Sequence, residues 1–326
     1  VKALIRVHVL LCLVCCLLLQ QRVCYAQNMF KTKRYTYLSA SVGPSKYLGD
    51  IGTQTDNFWN QYNINQGTWF GGGALQRVYH RKASIELGLQ IGKLQAADRT
   101  IAFTSTADPN YLLFKRNLDF RTRIVEASLS TSVMPFTTLF PKKKIATYQI
   151  QPFLSAGVGI YSFKPQGSVY DALFDDIVWY DLQPLSTEGQ GFAEYPNRQP
   201  YKLTQFNLQY GGGFNYNLSQ YYYCAIGING RKLFTDYLDD VSSTYANPTV
   251  YDRYFTDQEL AELAKLFSNK SVLTEPFTPY REGEIRGNNK KFDGYFTIYA
   301  KVGFRIGARK SNEAEHYKYD DNEICD

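Results

Sequence analysis

Eight segments of the chain alternate apolar with small or polar residues, and the connections between them alternate short and long. The clearest segment is Ala83 to Leu94. Ile85, Leu87, Leu89 and Ile91 fall on one face, and Ser84, Glu86, Gly88, Gln90 and Gly92 on the other, because strand side chains point alternately to opposite faces. An apolar outside around a polar, glycine-rich inside is what a barrel in lipid requires. A soluble barrel with a ligand cavity would carry the reverse polarity. The expected fold is therefore all-β: an eight-stranded antiparallel transmembrane barrel of the outer-membrane kind.

The first residues read as a leader. Lys2 and Arg6 precede the apolar run Val7–Leu19, and Cys24-Tyr25-Ala26 places small residues before Gln27. That is the pattern of a cleaved secretory signal peptide spanning residues 1–26, and the run is too short for an anchor helix. Lys2, Arg6 and Arg22 leave with it, taking the 36 basic residues to 33 against 30 acidic ones and the net charge to +3. That balance offers no basic field for nucleic acid. Of six cysteines, only Cys224 and Cys325 remain, which is no disulfide framework. The mature chain has no apolar run of about twenty residues, so no helix can span a bilayer. The whole sequence is rich in Tyr, 27 in all, of which Tyr25 alone leaves with the leader, and in Phe, 21. Tyrosine suits a lipid interface, with its ring in lipid and its hydroxyl in water.

The strands are expected at Arg34–Val42, Thr68–Tyr79, Lys82–Leu94, Asp119–Val133, Thr147–Phe163, Lys202–Tyr216, Tyr221–Lys232 and Phe292–Ile306. His80-Arg81, Pro135–Ala146 and Asn217–Gln220 are the short connections. The long loops are 43–67, 95–118, 164–201 and 233–291. Outer-membrane barrels put short turns in the periplasm and long loops outside, so both termini are expected in the periplasm. The barrel would then span residues 27–306, followed by a charged tail at 307–326.

Outer-face residues include Leu38, Leu89, Val125, Leu154, Phe206, Ile226, Phe296 and Val302. Tyr35, Tyr79, Tyr148 and Tyr221 fall near the short turns, and Trp69, Tyr161 and Tyr201 near the long loops, as two aromatic belts. Eight strands leave room inside only for side chains. The inward charges must then meet, because an unpaired buried charge costs several kcal/mol. The expected set is Glu86 and Glu126 against Lys301 and Arg305.

The fourth long loop carries a helix at 257–269. Thr256 with Glu259 forms a capping box and Phe255 with Leu260 a hydrophobic staple. Leu260, Leu263, Ala264 and Phe267 follow at helical spacing. Local packing is the preferred reading of that stripe over partner docking.

Nothing in the chain reads as catalytic. His80 and His316 alone survive maturation, no Cys/His cluster has metal-ligand spacing, and there is no G-x-S-x-G or P-loop. A membrane-embedded enzyme, the rival from another class, would need a His with a Ser or Asp at the rim. Gly71–Gly73 and Gly211–Gly213 lie within strands, where they serve close packing. Asp236, Asp239 and Asp240, and likewise Asp175 and Asp176, are the ligand type calcium uses. Their spacing matches no calcium loop, so no cofactor is expected and solvated or salt-bridged loop carboxylates are.

Several motifs then become familiar. Lys46-Tyr47-Leu48-Gly49-Asp50-Ile51 follows the first strand, and Arg116-Asn117-Leu118 opens the fourth, which contains Glu126. Pro152-Phe153-Leu154 and Gly157-Val158-Gly159 make the fifth. The third long loop holds Trp179-Tyr180-Asp181-Leu182-Gln183-Pro184-Leu185 and Thr187-Glu188-Gly189-Gln190-Gly191. The fourth opens with Thr235-Asp236-Tyr237-Leu238-Asp239-Asp240-Val241-Ser242. Over nearly the whole mature chain, and in this order, the sequence resembles the PorG-type outer-membrane barrel of the type IX secretion system. It departs from that pattern in Tyr245–Arg286 and in the charged tail. The resemblance implies a non-catalytic integral outer-membrane component that contacts a periplasmic ring made of a lipoprotein and its partner. From the residues alone, the alternative is a small barrel presenting adhesive loops at the cell surface. No small-molecule ligand can be named.

Overall fold

The computed structural model describes residues 34–52, 68–79, 82–139, 150–173, 175–219 and 221–307. The leader at 1–26, the tail beyond Gly307, His80-Arg81, Lys142–Lys144, Tyr148, His316 and Cys325 lie outside the described residues.

The strands are β1 (Arg34–Leu48), β2 (Trp69–Tyr79), β3 (Ala83–Ala97), β4 (Asp119–Val133), β5 (Ile150–Asp171), β6 (Asp176–Asp181), β7 (Thr204–Asn217), β8 (Tyr222–Leu233) and β9 (Gly294–Ile306). Eight of them form one antiparallel ring in the order β1-β2-β3-β4-β5-β7-β8-β9, closed by β9 against β1. Each ring strand pairs with its neighbour in sequence, apart from the closing pair and the step that passes over β6. The register puts Thr36 opposite Ile306, so the two ends of the ring lie at the same end as the short turns. β6 stands outside the ring, paired with the last residues of β5.

The wall is apolar outside. Leu89, Phe206 and Ile226 are each 65–67 % exposed, and their row neighbours Leu38, Val125, Leu154 and Val302 are exposed too. The inside holds buried Ser39, Gln76, Ser84, Glu126, Gln151, Asn207, Gln209 and Arg231. A globular protein in water does not expose a girdle of this size. In a bilayer the same polarity is the stable one.

Several expectations are corrected at the strand ends. A strand of 9 to 11 residues crosses a bilayer, but β1 runs 15 residues and β5 runs 22. The ladder continues past the lipid-facing stretch because the loops beyond supply a core for its inner face. Tyr47 is therefore a strand residue facing Tyr295 across β9 rather than part of the first loop. Trp179, Tyr180 and Asp181 belong to β6, not to an irregular loop. Two members of the expected belts are buried: Tyr161 inside the barrel and Tyr201 under the loops. Phe296, expected on the outer face, is buried as well.

The interior is layered. Tyr37, Val78, Met134, Phe153, Tyr223 and Ala225 pack at the short-turn end. A polar layer follows. Above it Phe70, Leu94, Phe120, Ile124, Tyr161, Phe163, Leu233 and Tyr295 pack against Ile51, Tyr201, Leu238 and Val241 from the loops, so barrel and loops share one core.

A second apolar cluster lies wholly in the cap, where Leu182, Leu185, Phe192, Val250 and Tyr251 surround Ala264 and Phe267. The last two come from a helix, Gln258–Ser268, which buries its Ala261, Ala264 and Phe267 face locally. Its start differs from the expectation. Asp257, one residue later than Thr256, is the N-cap and accepts from the Glu259 and Leu260 amides. Leu260 is exposed rather than stapled onto Phe255. An Asp carboxylate serves as cap at least as well as a Thr hydroxyl and adds charge at the helix's positive end.

Candidate functional site

Two polar constellations sit between the apolar layers: one in the barrel and one in the cap above it.

In the barrel, Glu126 on β4 and Arg231 on β8 form a buried ion pair, N–O 3.1 Å, with side chains 0 % and 1 % exposed. Asn207 Nδ2 donates to Glu126 Oε2 at 2.7 Å, and the Tyr295 hydroxyl donates to the same oxygen at 3.1 Å. Arg231 Nη2 also donates to Gln90 Oε1 at 2.6 Å, and the guanidinium lies 4.9 Å from the Tyr295 ring. Side chains from five strands thus contribute to one satisfied knot, which is what makes a buried pair tolerable. Lower down, Lys301 Nζ donates to Glu86 at 2.7 and 2.9 Å. This pair borders a cavity of about 40 Å³ lined by Gln76, Gln90, Ser130 and Tyr223, room for a few waters but not for a solute.

Of the four charges expected to meet inside, Glu86 and Lys301 are brought together. Glu126 is not served by Arg305, which lies at the short-turn end with its guanidinium 5.4 Å from the Tyr35 ring. Arg231 takes that place. The alternation that sends Ile226 and Ile228 outward sends Arg231 inward, so period two alone could have found it.

The cap gathers much of the familiar loop motifs. Glu188 is fully buried. It accepts from the Ser242 amide at 2.9 Å, the Ser243 hydroxyl at 2.6 Å and Arg286 Nη1 at 3.0 Å, with the Tyr237 hydroxyl at 3.3 Å. Asp240 accepts from the Tyr201 hydroxyl at 2.6 Å and from Thr187. The Tyr47 hydroxyl donates to Asp239 and receives the Asp50 amide at 2.9 Å. Asp50 Oδ2 accepts from the Asn288 amide at 2.6 Å. Arg116 forks onto Asp98 at 2.7 and 2.9 Å and reaches the Asp50 and Arg286 carbonyls. Gly49 is required here, because a Cβ would run into the Tyr47 hydroxyl and Asp293. Gly189 turns with φ +74°, and a Cβ would press on the Tyr195 ring.

The remaining motif residues lie apart. Trp179 stacks under Arg121 at 4.2 Å, Tyr180 meets Phe267, and Asp181 pairs with Lys164 at 2.6 Å. Gln183 Nε2 donates to the Tyr201 carbonyl at 3.4 Å, and Pro184 lies in a 3₁₀ turn.

The carboxylates of the fourth loop were expected to be solvated or salt-bridged, and the structure corrects this. Asp236, Asp239 and Asp240 are all buried, whereas Asp175 and Asp176 are exposed. Burial pushes the Asp236 carboxyl up to about 7, opposed by the Ser242 side chain beside it and helped by the Asp50 and Glu188 charges. Burial likewise lifts Asp240 to about 6 against the pull of Arg286. Asp239 and Asp293 are raised well above the carboxylate range, again by burial first and then by neighbouring carboxylates. Among the described residues no group of three or more His, Cys, Asp or Glu is placed to share a metal ion. Asp239 and Asp240 turn to different hydroxyls instead.

The closed wall, apolar outside and filled inside, defines an eight-stranded membrane barrel under a folded loop cap. No protein-family model matches the sequence, and no curated protein matches it. Solved structures that resemble it in fold are outer-membrane barrels. A major outer membrane protein from Thermus thermophilus is 9 % identical, with 84 % of this chain and 100 % of that chain covered, at a TM-score of 0.39. Neisserial surface protein A is 7 % identical over 82 % and 96 %, at 0.34. The attachment invasion locus protein Ail of Yersinia pestis, in complex with the heparin analogue sucrose octasulfate, is 9 % identical over 84 % and 100 %, at 0.33. These likenesses are distant, and the assignment rests on the closed sheet and its exposure pattern.

Proposed function

We propose that this chain is a non-catalytic outer-membrane barrel that anchors a periplasmic ring of the type IX secretion system, the ring being built of a lipoprotein and its partner. The observation that carries the anchoring role is the sealed interior. The Glu126–Arg231 knot and the shared core above it leave no path for a solute. The type IX assignment rests on the sequence resemblance. The convergence of Tyr47, Asp50, Glu188, Tyr237, Asp239 and Asp240 supports it, since residues scattered along the chain serve one buried construction. In this reading the leader is cleaved, the long loops face outward and the termini face the periplasm.

The ring then contacts the short-turn end. Photo-crosslinking from Phe136 and Leu218, both exposed there, is compared with crosslinking from Leu173 and Ile285 in the cap. Ring lipoprotein captured only from the first pair supports the anchor. Capture only from the cap, or undiminished type IX export after deletion of the gene, sinks it and favours loop-mediated adhesion.

A further inference from the structure

A row of like charges crosses the outer wall just beyond the apolar girdle. Lys93 on β3 stands directly opposite Arg123 on β4, and Arg123 directly opposite Lys164 on β5. All three are exposed. Their side chains point outward, because they continue the rows of Ile91 and Val125, then Leu89, Ala127 and Ile160. Directly opposed residues hold their Cβ atoms about 5 Å apart, where like charges repel.

Among the described residues little offsets this repulsion. Lys93 and Arg123 make no side-chain ion pair or hydrogen bond with the described residues. Lys164 reaches Asp181 at 2.6 Å, through side chains 59 % and 32 % exposed, so that pair is weak. Arg121, the next outward residue along β4, is already occupied by Gln166 at 2.9 Å and by the Trp179 ring. It closes the row on the side away from the girdle.

Three cations in adjacent strands, one step past the lipid-facing residues, lie where headgroups begin. We propose that Lys93, Arg123 and Lys164 seat the phosphate of an anionic membrane lipid in the leaflet at the long-loop end. A phosphate presents several acceptor oxygens, enough to meet the guanidinium and an ammonium on either side. The lipid's acyl chains would lie along Ile91, Val125, Leu89 and Ile160. The site rests on the membrane-spanning reading, but not on any secretion role.

The test uses the full chain folded in phosphatidylcholine nanodiscs and then presented with lipid A, its dephosphorylated form, or inorganic phosphate. Native mass spectrometry after detergent release reads what stays bound. The intact protein is expected to retain lipid A over the dephosphorylated form. The triple variant K93Q/R123Q/K164Q should lose affinity by about fivefold for each charge removed, while K232Q, on β8, should bind as the wild type does. Because the triple variant also relieves repulsion, it should melt slightly higher in neutral detergent and gain less from added lipid A. Equal retention by the triple variant, no preference for the phosphorylated lipid, or equal capture of inorganic phosphate would overturn the site. Failure of the wild type to insert at all would count against the membrane reading itself.

Discussion

The barrel and the cap both bury charge, and they do it differently. In the barrel buried Glu126 meets Arg231 and half-buried Glu86 meets Lys301, while Asp119 at the start of β4 takes Lys270 from the cap. In the cap the cations are outnumbered. Arg286 and Arg116 serve Glu188 and Asp98, while Asp239, Asp240 and Asp293 lean on tyrosine hydroxyls and backbone amides, with Asp236 buried beside them. Glu126 and Arg231 are shut away from solvent, so pairing is obligatory there, whereas Glu86 and Lys301 border a small cavity with room for water. The cap is bathed by solvent and can hold carboxylates that take up a proton instead. The stability of the cap should therefore respond to mild pH change.

The largest expected effect breaks the barrel side of that contrast. Arg231→Ala strands Glu126 among buried groups and should cost about 3–5 kcal/mol in a urea series in detergent or bilayers. Adding Glu126→Gln should restore a substantial part, and strict additivity would show that the two side chains do not meet. Next comes Arg286→Ala, which removes the cation of Glu188 and should lose about 3 kcal/mol. That loss should be confined to the cap. Limited proteolysis at exposed Arg281 should accelerate while the barrel keeps its heat-modifiable mobility on gels. A barrel that unfolds together with the cap would mean the shared core makes one cooperative unit.

A smaller effect sharpens the cap side. Raised folded-state pKa values mean that folding takes up protons, so the stability they confer is complete below about pH 4, the unfolded carboxylate value. It falls as pH rises through about 6 for Asp240 and about 7 for Asp236. Cleavage at Arg281 should accelerate between about pH 4 and 7, the window those values bracket, and Asp236→Asn should flatten that dependence. A flat profile in the wild type would mean these carboxylates are ionised at no cost. The smallest effect is expected from Lys301→Ala, roughly 1–2 kcal/mol, because Lys301 and Glu86 border a cavity with room for water and are 13 % and 17 % exposed.

Where sequence reading succeeded and where it stopped follows one physical boundary. Within the wall, period-two alternation in lipid admits a single polarity, so the strands, their outward rows and the Glu86–Lys301 meeting could be read directly. Arg231 obeys the same period and was equally accessible, although Arg305 was expected in its place. The strand extensions, the β5–β6 hairpin and the N-cap at Asp257 were not legible, since each depends on what the neighbouring loop places beside it.

The sequence by itself determined the barrel, its strand number and its inside-out surface, because a local period and the demand for backbone pairing in lipid leave no other arrangement. Only the tertiary structure decided that Tyr47, Asp50, Glu188, Tyr237, Asp239 and Asp240 meet in the cap. Their chain separations run to nearly two hundred residues, as between Tyr47 and Asp239. No local rule carries such contacts; they exist because closing the ring brings its loops over one mouth, where a shared core and paired polar groups must fill the same space.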